Sequence, residues 1–331
     1  MNLKKYFEFE NYFLYFENKL NKLKGLVGFY FSKNIYIKEC MIELEISNIC
    51  NALCIFCPWI VIKNTNKKFQ MMSEETFNKV LDKISKQSYR IISFTPTTGE
   101  LLVHKNWNFY IKKASKLKNI DKIIFYSNGI LLDENNRRKL LELLLEKESK
   151  LKEIHFSIGG IDKDTYKLMY GVNQFEKVKS NIKELLIMLK ENNLKVRVQI
   201  EIREPKYQSL TKQEIRSVFN EINYRYLKIR ILKVFARIEC IPKREELLYL
   251  NKEVDRKKPC KHLYKTRYDV NGNIWADGCV VSELPNDFEL KLGSLEDDLS
   301  IIEERRKKII NNWKEGKLPK TCKKCDMYTW Y

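Results

Sequence analysis

The sequence predicts an α/β chain: a partial (β/α)6 barrel of the TIM-like kind, followed by a small C-terminal α/β domain. Three observations carry that prediction. From residue 41, short apolar β-branched runs alternate with longer segments of helical period, and the alternation repeats six times. Beyond residue 235 it gives way to a basic, proline-containing stretch at 236–259 and then to a cysteine-bearing tail. At 331 residues the chain is long for one domain, so the expected division is 1–40, 41–235 and 236–331. Six βα units with right-handed crossovers curl a parallel sheet into an open, incomplete version of the (β/α)8 barrel.

Residues 1–40 crowd aromatics (Tyr6, Phe7, Phe9, Tyr12, Phe13, Tyr15, Phe16, then Phe29, Tyr30, Phe31) among Lys and Glu. Such spacing suits a helix lying on a membrane or partner, or one that plugs the bottom of an open barrel; packing is the expectation adopted. Strands are expected at 41–47 (MIELEIS), 90–96 (RIISFTP), 122–127 (KIIFYS), 153–158 (EIHFSI), 195–202 (KVRVQIEI) and 226–232 (YLKIRIL). The helix at 73–86 opens on Ser73 as N-cap, with Glu74 and Glu75 in a first turn that favours negative charge. Further helices are expected at 105–117, 133–147, 174–191 and 211–223. On strand five, Gln199, Glu201 and Arg203 alternate and therefore share one face, either a wet barrel interior or bulk solvent.

The chain carries 62 Lys plus Arg against 43 Asp plus Glu, a net charge of +19. The excess is scattered through helical segments between Glu and Asn, which is the pattern of a solvated face, so neither nucleic acid nor a membrane is an expected partner. No signal peptide and no run of about eighteen apolar residues is present, and nine Cys in that context point to a reducing cytoplasm.

Cys50, Cys54 and Cys57 stand as Cys-x3-Cys-x2-Cys in ISNICNALCIFCPW, on the loop leaving strand one. A loop this tight does not close useful disulfides, whereas three thiolates hold three irons of a cubane and leave the fourth open. Structural zinc would ask for a fourth Cys or His, and the next His is His104. The spacing after MIELEIS resembles the signature of the radical S-adenosylmethionine (SAM) superfamily. The resemblance implies a [4Fe-4S] cluster whose open iron chelates the amino and carboxylate groups of SAM. It implies too a one-electron reductant such as flavodoxin or ferredoxin, and a 5′-deoxyadenosyl radical that takes hydrogen from substrate.

The later strand exits extend the resemblance. Thr97-Thr98-Gly99-Glu100 is similar to the family's Gly-Gly-Glu, with Thr98 in place of the first glycine, and Gly99 and Glu100 would meet the methionine ammonium of SAM. Ser127-Asn128-Gly129 resembles a Thr-Asn-Gly turn whose polar side chains approach the cofactor. Ser157 would bond its ribose, and the aspartate that often follows is Gly159 here. In YKLMYG, 166–171, Tyr170 stands where relatives often place an Arg for the cofactor carboxylate, so another cation is needed.

Cys260, Cys279, Cys322 and Cys325 supply four more thiols, and PCKHLYKTRYDVNGNIWADGC, LGSL and LPKTCKKC resemble the SPASM/twitch extension of the same superfamily. The resemblance implies an auxiliary [4Fe-4S] cluster that moves electrons, which favours a net oxidation; a four-cysteine zinc knuckle is the alternative. Cys40 and Cys240 are taken as small apolar side chains, with a hydrogen-donating thiol as the alternative. The forty residues before strand one look too short for a leader-binding module, which tilts the substrate toward a small or carbohydrate-type molecule. A phosphorylated sugar would suit the basic charge, with Lys233, Arg237 and Arg203 to hold it. Two other functions stay open: modification of a ribosomal peptide or protein, and a metal-cluster scaffold that binds nucleic acid.

Overall fold

The computed structural model describes residues 41–64, 69–94, 98–219, 222–235, 242–249, 255–276, 288–325 and 328. The expectations for 1–40, Cys40, Arg237, Cys240 and Cys279 lie outside these residues.

Six strands lie side by side in chain order: β1 (Met41–Leu44), β2 (Ile91–Phe94), β3 (Lys122–Ser127), β4 (Leu151–Gly159), β5 (Arg197–Glu204) and β6 (Leu227–Lys233). Every neighbouring pair is parallel, as the six-unit pattern requires. The helices between them are α1 (Trp59–Ile62), α2 (Glu74–Ser85), α3 (Trp107–Ser115), α4 (Glu134–Leu145), α5 (Lys163–Tyr170), α6 (Phe175–Glu191) and α7 (Lys212–Phe219). This is the partial TIM-like barrel. Ser73 caps α2 as expected, its Oγ accepting from Thr76 N at 3.1 Å. Asp133 and Asp162 cap α4 and α5 in the same way.

The C-terminal segment shares the barrel's sheet. β7 (Thr266–Tyr268) lies parallel to β1 on its free side, and β8 (Ile274–Trp275) and β9 (Lys291–Gly293) continue antiparallel beyond it. Helix α8 (Leu299–Lys314) follows. Its buried Arg306 donates to the carbonyls of Leu263 and Lys265 and to Thr266 Oγ1, and so pins it to the start of β7. Among the described residues no helix is long and apolar enough to cross a membrane.

Strand periodicity splits the barrel into two faces. Ile154, Phe156 and Ile158 on β4 and Val198, Ile200 and Ile202 on β5 are wholly buried. They belong to the layer in which Phe77 meets Phe94 and Trp107 meets Phe125, each large side chain contributing roughly 1.5–3 kcal/mol on burial. The opposite face carries Glu153, His155, Ser157, Gln199, Glu201 and Arg203. Gln199 and Glu201 are buried as well, so the face shared with Arg203 is the barrel interior rather than bulk solvent.

There the polar groups form a continuous column. Lys122 and Arg197 reach Glu153 Oε1 at 2.7 and 2.9 Å, and His155 meets Glu153 Oε2 at 3.1 Å. Gln199 Nε2 lies 3.3 Å from His155 Nδ1 and donates to Glu201 Oε1 at 2.8 Å. Arg203 closes the column, with Nη2 on Glu201 Oε2 at 3.1 Å and Nε on Ser157 Oγ at 2.8 Å.

Burial works against the charge on Glu153, but the His155 hydrogen bond and the Lys122 and Arg197 charges outweigh it and hold the carboxyl at about 2. Its ordinary value is 4.5, so the stabilisation is complete above that pH and is lost as pH falls toward about 2. Glu153→Gln is therefore expected to cost about 2 kcal/mol at neutral pH, and the gap from the parent protein should close over that acid window in urea titrations at fixed pH. A gap independent of pH would contradict the ion-pair account.

Candidate cluster and cofactor site

The three cysteines of the first loop sit between two supports. On one side β1 delivers the chain through Ser47 and Asn48, where Gln70 N donates to Asn48 Oδ1 at 2.7 Å. On the other, Leu53 N donates to Tyr170 O at 2.9 Å and Ile55 N to Met169 O at 3.1 Å, so the loop is zipped to the last turn of α5. Gly171 ends α5 at φ 66°, and a Cβ there would stand 2.7 Å from Leu53 O. Phe56 meets the Tyr170 ring edge-on at 5.8 Å and lies under the Arg203 guanidinium at 5.8 Å. Cys50, Cys54 and Cys57 are half-buried.

The exit of β2 presses directly on this loop. A Cβ at Gly99 would overlap Ser47 O and stand 2.9 Å from Asn48 Cα, so only glycine lets the two backbones touch. Glu100 follows, buried, with its N–H on Ile49 O at 2.8 Å. Its carboxylate accepts from Ser127 Oγ at 2.7 Å, Asn128 N at 2.8 Å and Leu102 N at 3.1 Å. Burial raises the Glu100 carboxyl, and those three donors pull it partly back. Asn128 Nδ2 donates to Asn51 Oδ1 at 2.7 Å, joining the β3 exit to the cysteine loop. Gly99, Glu100, Ser127 and Asn128 are thus gathered on one rim with Cys50.

Ser157 is tied to the same loop through Tyr170, whose carbonyl accepts from Leu53 N. Its Oγ accepts from Tyr170 OH and from Arg203 Nε, both at 2.8 Å. Tyr170, Ser157 and Arg203 come from three elements, and nothing local in the chain links them. Burial pushes the Cys50 thiol up to about 12, and the charges of Glu100 and Cys57 add to the rise. A bare thiol in this setting stays protonated, and a metal binds only by displacing the proton.

Four buried polar atoms on or beside the loop have no hydrogen-bond partner: Asn51 Nδ2, Trp59 Nε1, Thr98 Oγ1 and the Tyr166 hydroxyl. Native interiors leave few such groups unpaired, so a cluster of them marks a place where a ligand completes the structure. His104 is not a ligand for this loop: Nε2 faces Met72 O at 3.3 Å and Nδ1 accepts from Asn106 N at 3.2 Å. Among the described residues, no three His, Cys, Asp or Glu side chains are gathered closely enough to hold one metal ion.

Of the second cysteine set, Cys260, Cys322 and Cys325 are buried and Cys279 lies outside the described residues. Arg256 Nη2 donates to Cys325 O at 3.0 Å and its guanidinium lies over Tyr328, whose ring stacks on Trp313 at 6.0 Å. Lys233, considered above for a phosphate, is committed: it pairs with Glu204 at 2.8 Å and donates to the carbonyls of Pro205 and Gln208.

The model of the radical SAM superfamily matches residues 44–202. A GTP 3′,8-cyclase of Clostridium perfringens is 25% identical over 218 residues, which is 64% of this chain and only 62% of the cyclase. An S-adenosyl-L-methionine-dependent 2-deoxy-scyllo-inosamine dehydrogenase of Niallia circulans is 27% identical over 134 residues, 38% of this chain and 52% of that one. In fold the chain is similar to native anSMEcpe with bound AdoMet, at a TM-score of 0.59 and 16% identity over 86% of this chain and 88% of the other. It is similar also to BtrN in complex with AdoMet and 2-DOIA, at a TM-score of 0.53 and 16% identity over 87% and 92%.

Gly99→Ala is expected to lose about 1–3 kcal/mol of stability, because backbone rather than a flexible side chain must give way. It should also lower the iron bound on anaerobic reconstitution. Unchanged urea denaturation and iron content would show that the contact with Ser47 is dispensable.

Proposed function

Because the chain belongs to the radical SAM superfamily, for which a [4Fe-4S] cluster and SAM are the implied cofactors, we propose that Cys50, Cys54 and Cys57 hold that cluster at the barrel mouth. The observation that carries the proposal is the set of three thiols on a loop that has four partnerless buried polar atoms on or beside it. A cubane places its irons at separate corners, so its thiolates need not converge on one point, and the donor set fits it. When bound, the cluster and SAM together supply a 5′-deoxyadenosyl radical that removes a hydrogen atom from substrate.

The protein's own groups bind and orient. Glu100 accepts three hydrogen bonds, and a carboxylate has about four acceptor positions, so one is left for the ammonium of SAM. Arg203 is the cation proposed for the SAM carboxylate in the place where Tyr170 offers no charge. Two of its five donors are used within the chain, and its side chain is 19% exposed at the rim. Asn128 and Ser157, each already anchored, would meet the ribose. In the C-terminal segment, Cys260, Cys322 and Cys325 together with Cys279 are assigned an auxiliary cluster that accepts an electron from substrate, giving a net oxidation.

The substrate proposed is a small hydroxyl-rich, carbohydrate-type molecule. In support stands the relative named as a dehydrogenase of 2-deoxy-scyllo-inosamine. With Lys233 bound to Glu204 and Arg203 assigned to SAM, the interior favours an uncharged or amine-bearing sugar over a phosphorylated one.

Anaerobically reconstituted protein given SAM and dithionite should release 5′-deoxyadenosine, and faster with aminocyclitols or sugars than with peptides. Intact SAM would defeat the proposal, and turnover with peptides alone would replace its substrate class. Arg203→Met should weaken SAM binding about 10- to 100-fold in equilibrium dialysis, the usual range for a charge-assisted contact. Unaltered affinity would remove Arg203 from the cofactor site.

A further inference from the structure

Tyr166 is wholly buried on α5, and its phenol oxygen has no hydrogen-bond partner. Native interiors seldom leave such a group unpaired, so the loaded protein is where a partner is to be sought. The ring is held firmly, 5.1 Å from Tyr170 and 5.9 Å from Phe175. Its helix is the one zipped to the cysteine loop through Leu53 and Ile55. The hydroxyl therefore has a fixed direction relative to the thiols.

Its surroundings identify the acceptor. Burial makes the phenol hard to ionise, and the charges that add to this are those of Cys54, then Glu100, then Cys50. Tyr166 is thus a neutral donor one helical turn before Tyr170, whose carbonyl holds Leu53 between the first two cysteines. Glu100 already accepts from Ser127, Asn128 and Leu102, and its remaining capacity has been assigned to SAM. Tyr170, by contrast, has given its hydroxyl to Ser157. Sulfur is the acceptor chemistry left for Tyr166.

We propose that the Tyr166 hydroxyl donates a hydrogen bond to a sulfur of the loop cluster on its Cys54 side and thereby sets the cluster's reduction potential. This rests on the reading of Cys50, Cys54 and Cys57 as cluster ligands. Reduction adds negative charge to the sulfur shell, so a donor there stabilises the reduced form more than the oxidised one and raises the potential. Tyr166 is a positioning and tuning residue, with no contact to substrate in this account.

The test is an EPR-monitored redox titration of the full chain, reconstituted and without SAM. The loop cluster's signal is recognised in a parallel sample as the one that changes when SAM is added. Tyr166→Phe keeps the ring and deletes only the donor, and it should bind wild-type iron. Its equilibrium constant for reduction should fall about tenfold, which is 59 mV for a one-electron couple. Tyr166→His restores an N–H donor and should recover part of the shift, while Tyr170→Phe should leave the potential where it was. A loaded Tyr166→Phe protein at the wild-type potential overturns the inference, as does an equal shift in Tyr170→Phe. A wild-type chain that binds no iron at the loop overturns the proposed function and this inference with it.

Discussion

The buried carboxylate of Glu100 is the constraint on which the rest of the mouth depends. An anion away from water must be given donors, and here the donors come from different parts of the chain: the β3 turn through Ser127 and Asn128, and the next residues of its own loop through Leu102. Its backbone N–H reaches back to Ile49, one residue before the first cysteine. Three strand exits are thereby fixed to one group. Gly99 makes the arrangement sterically possible, since any side chain there would displace the segment that leads into the thiols.

Beneath that mouth the interior column of Glu153, His155, Gln199, Glu201 and Arg203 gives the barrel a polar lining in which each charge has an opposite partner. Networks of this kind add little net stability compared with an apolar filling, but they penalise any register in which a partner is lost. The upper end of the column is Ser157, where Tyr170 arrives from α5 and Arg203 from β5. The rim is thus continuous with the barrel wall, so its side chains are held by the same strands that form the core.

What the sequence revealed followed from how local each signal is. The six strands were legible because β-branched runs and short connections are local properties, and α2 was legible because Ser73 and its acidic first turn are adjacent in the chain. The cysteine loop was legible for the same reason. Helix α5 was missed as a helix, though the Asp162 cap and Gly171 were present as signals, because eight residues carry little periodicity. β7 and β8 are three and two residues long, and only the resemblance of 259–279 to a strand-turn-strand unit announced them; β1 offers β7 its edge. The meeting of Ser157, Tyr170 and Arg203 was invisible, since only the fold brings those positions together. Alternation showed that Gln199, Glu201 and Arg203 share a face, but burial was needed to say which.

The pairing of β7 with β1 has a consequence for how the protein is made. Contacts such as Lys265 with Glu43 join residues 222 apart, so the strand that feeds the thiol loop acquires its second neighbour only after most of the polypeptide has left the ribosome. Until then the nascent chain carries a bare strand edge beside three reactive sulfurs, a state open to mispairing and oxidation. The wall beside the thiol loop is therefore finished only when the far end of the message has been read.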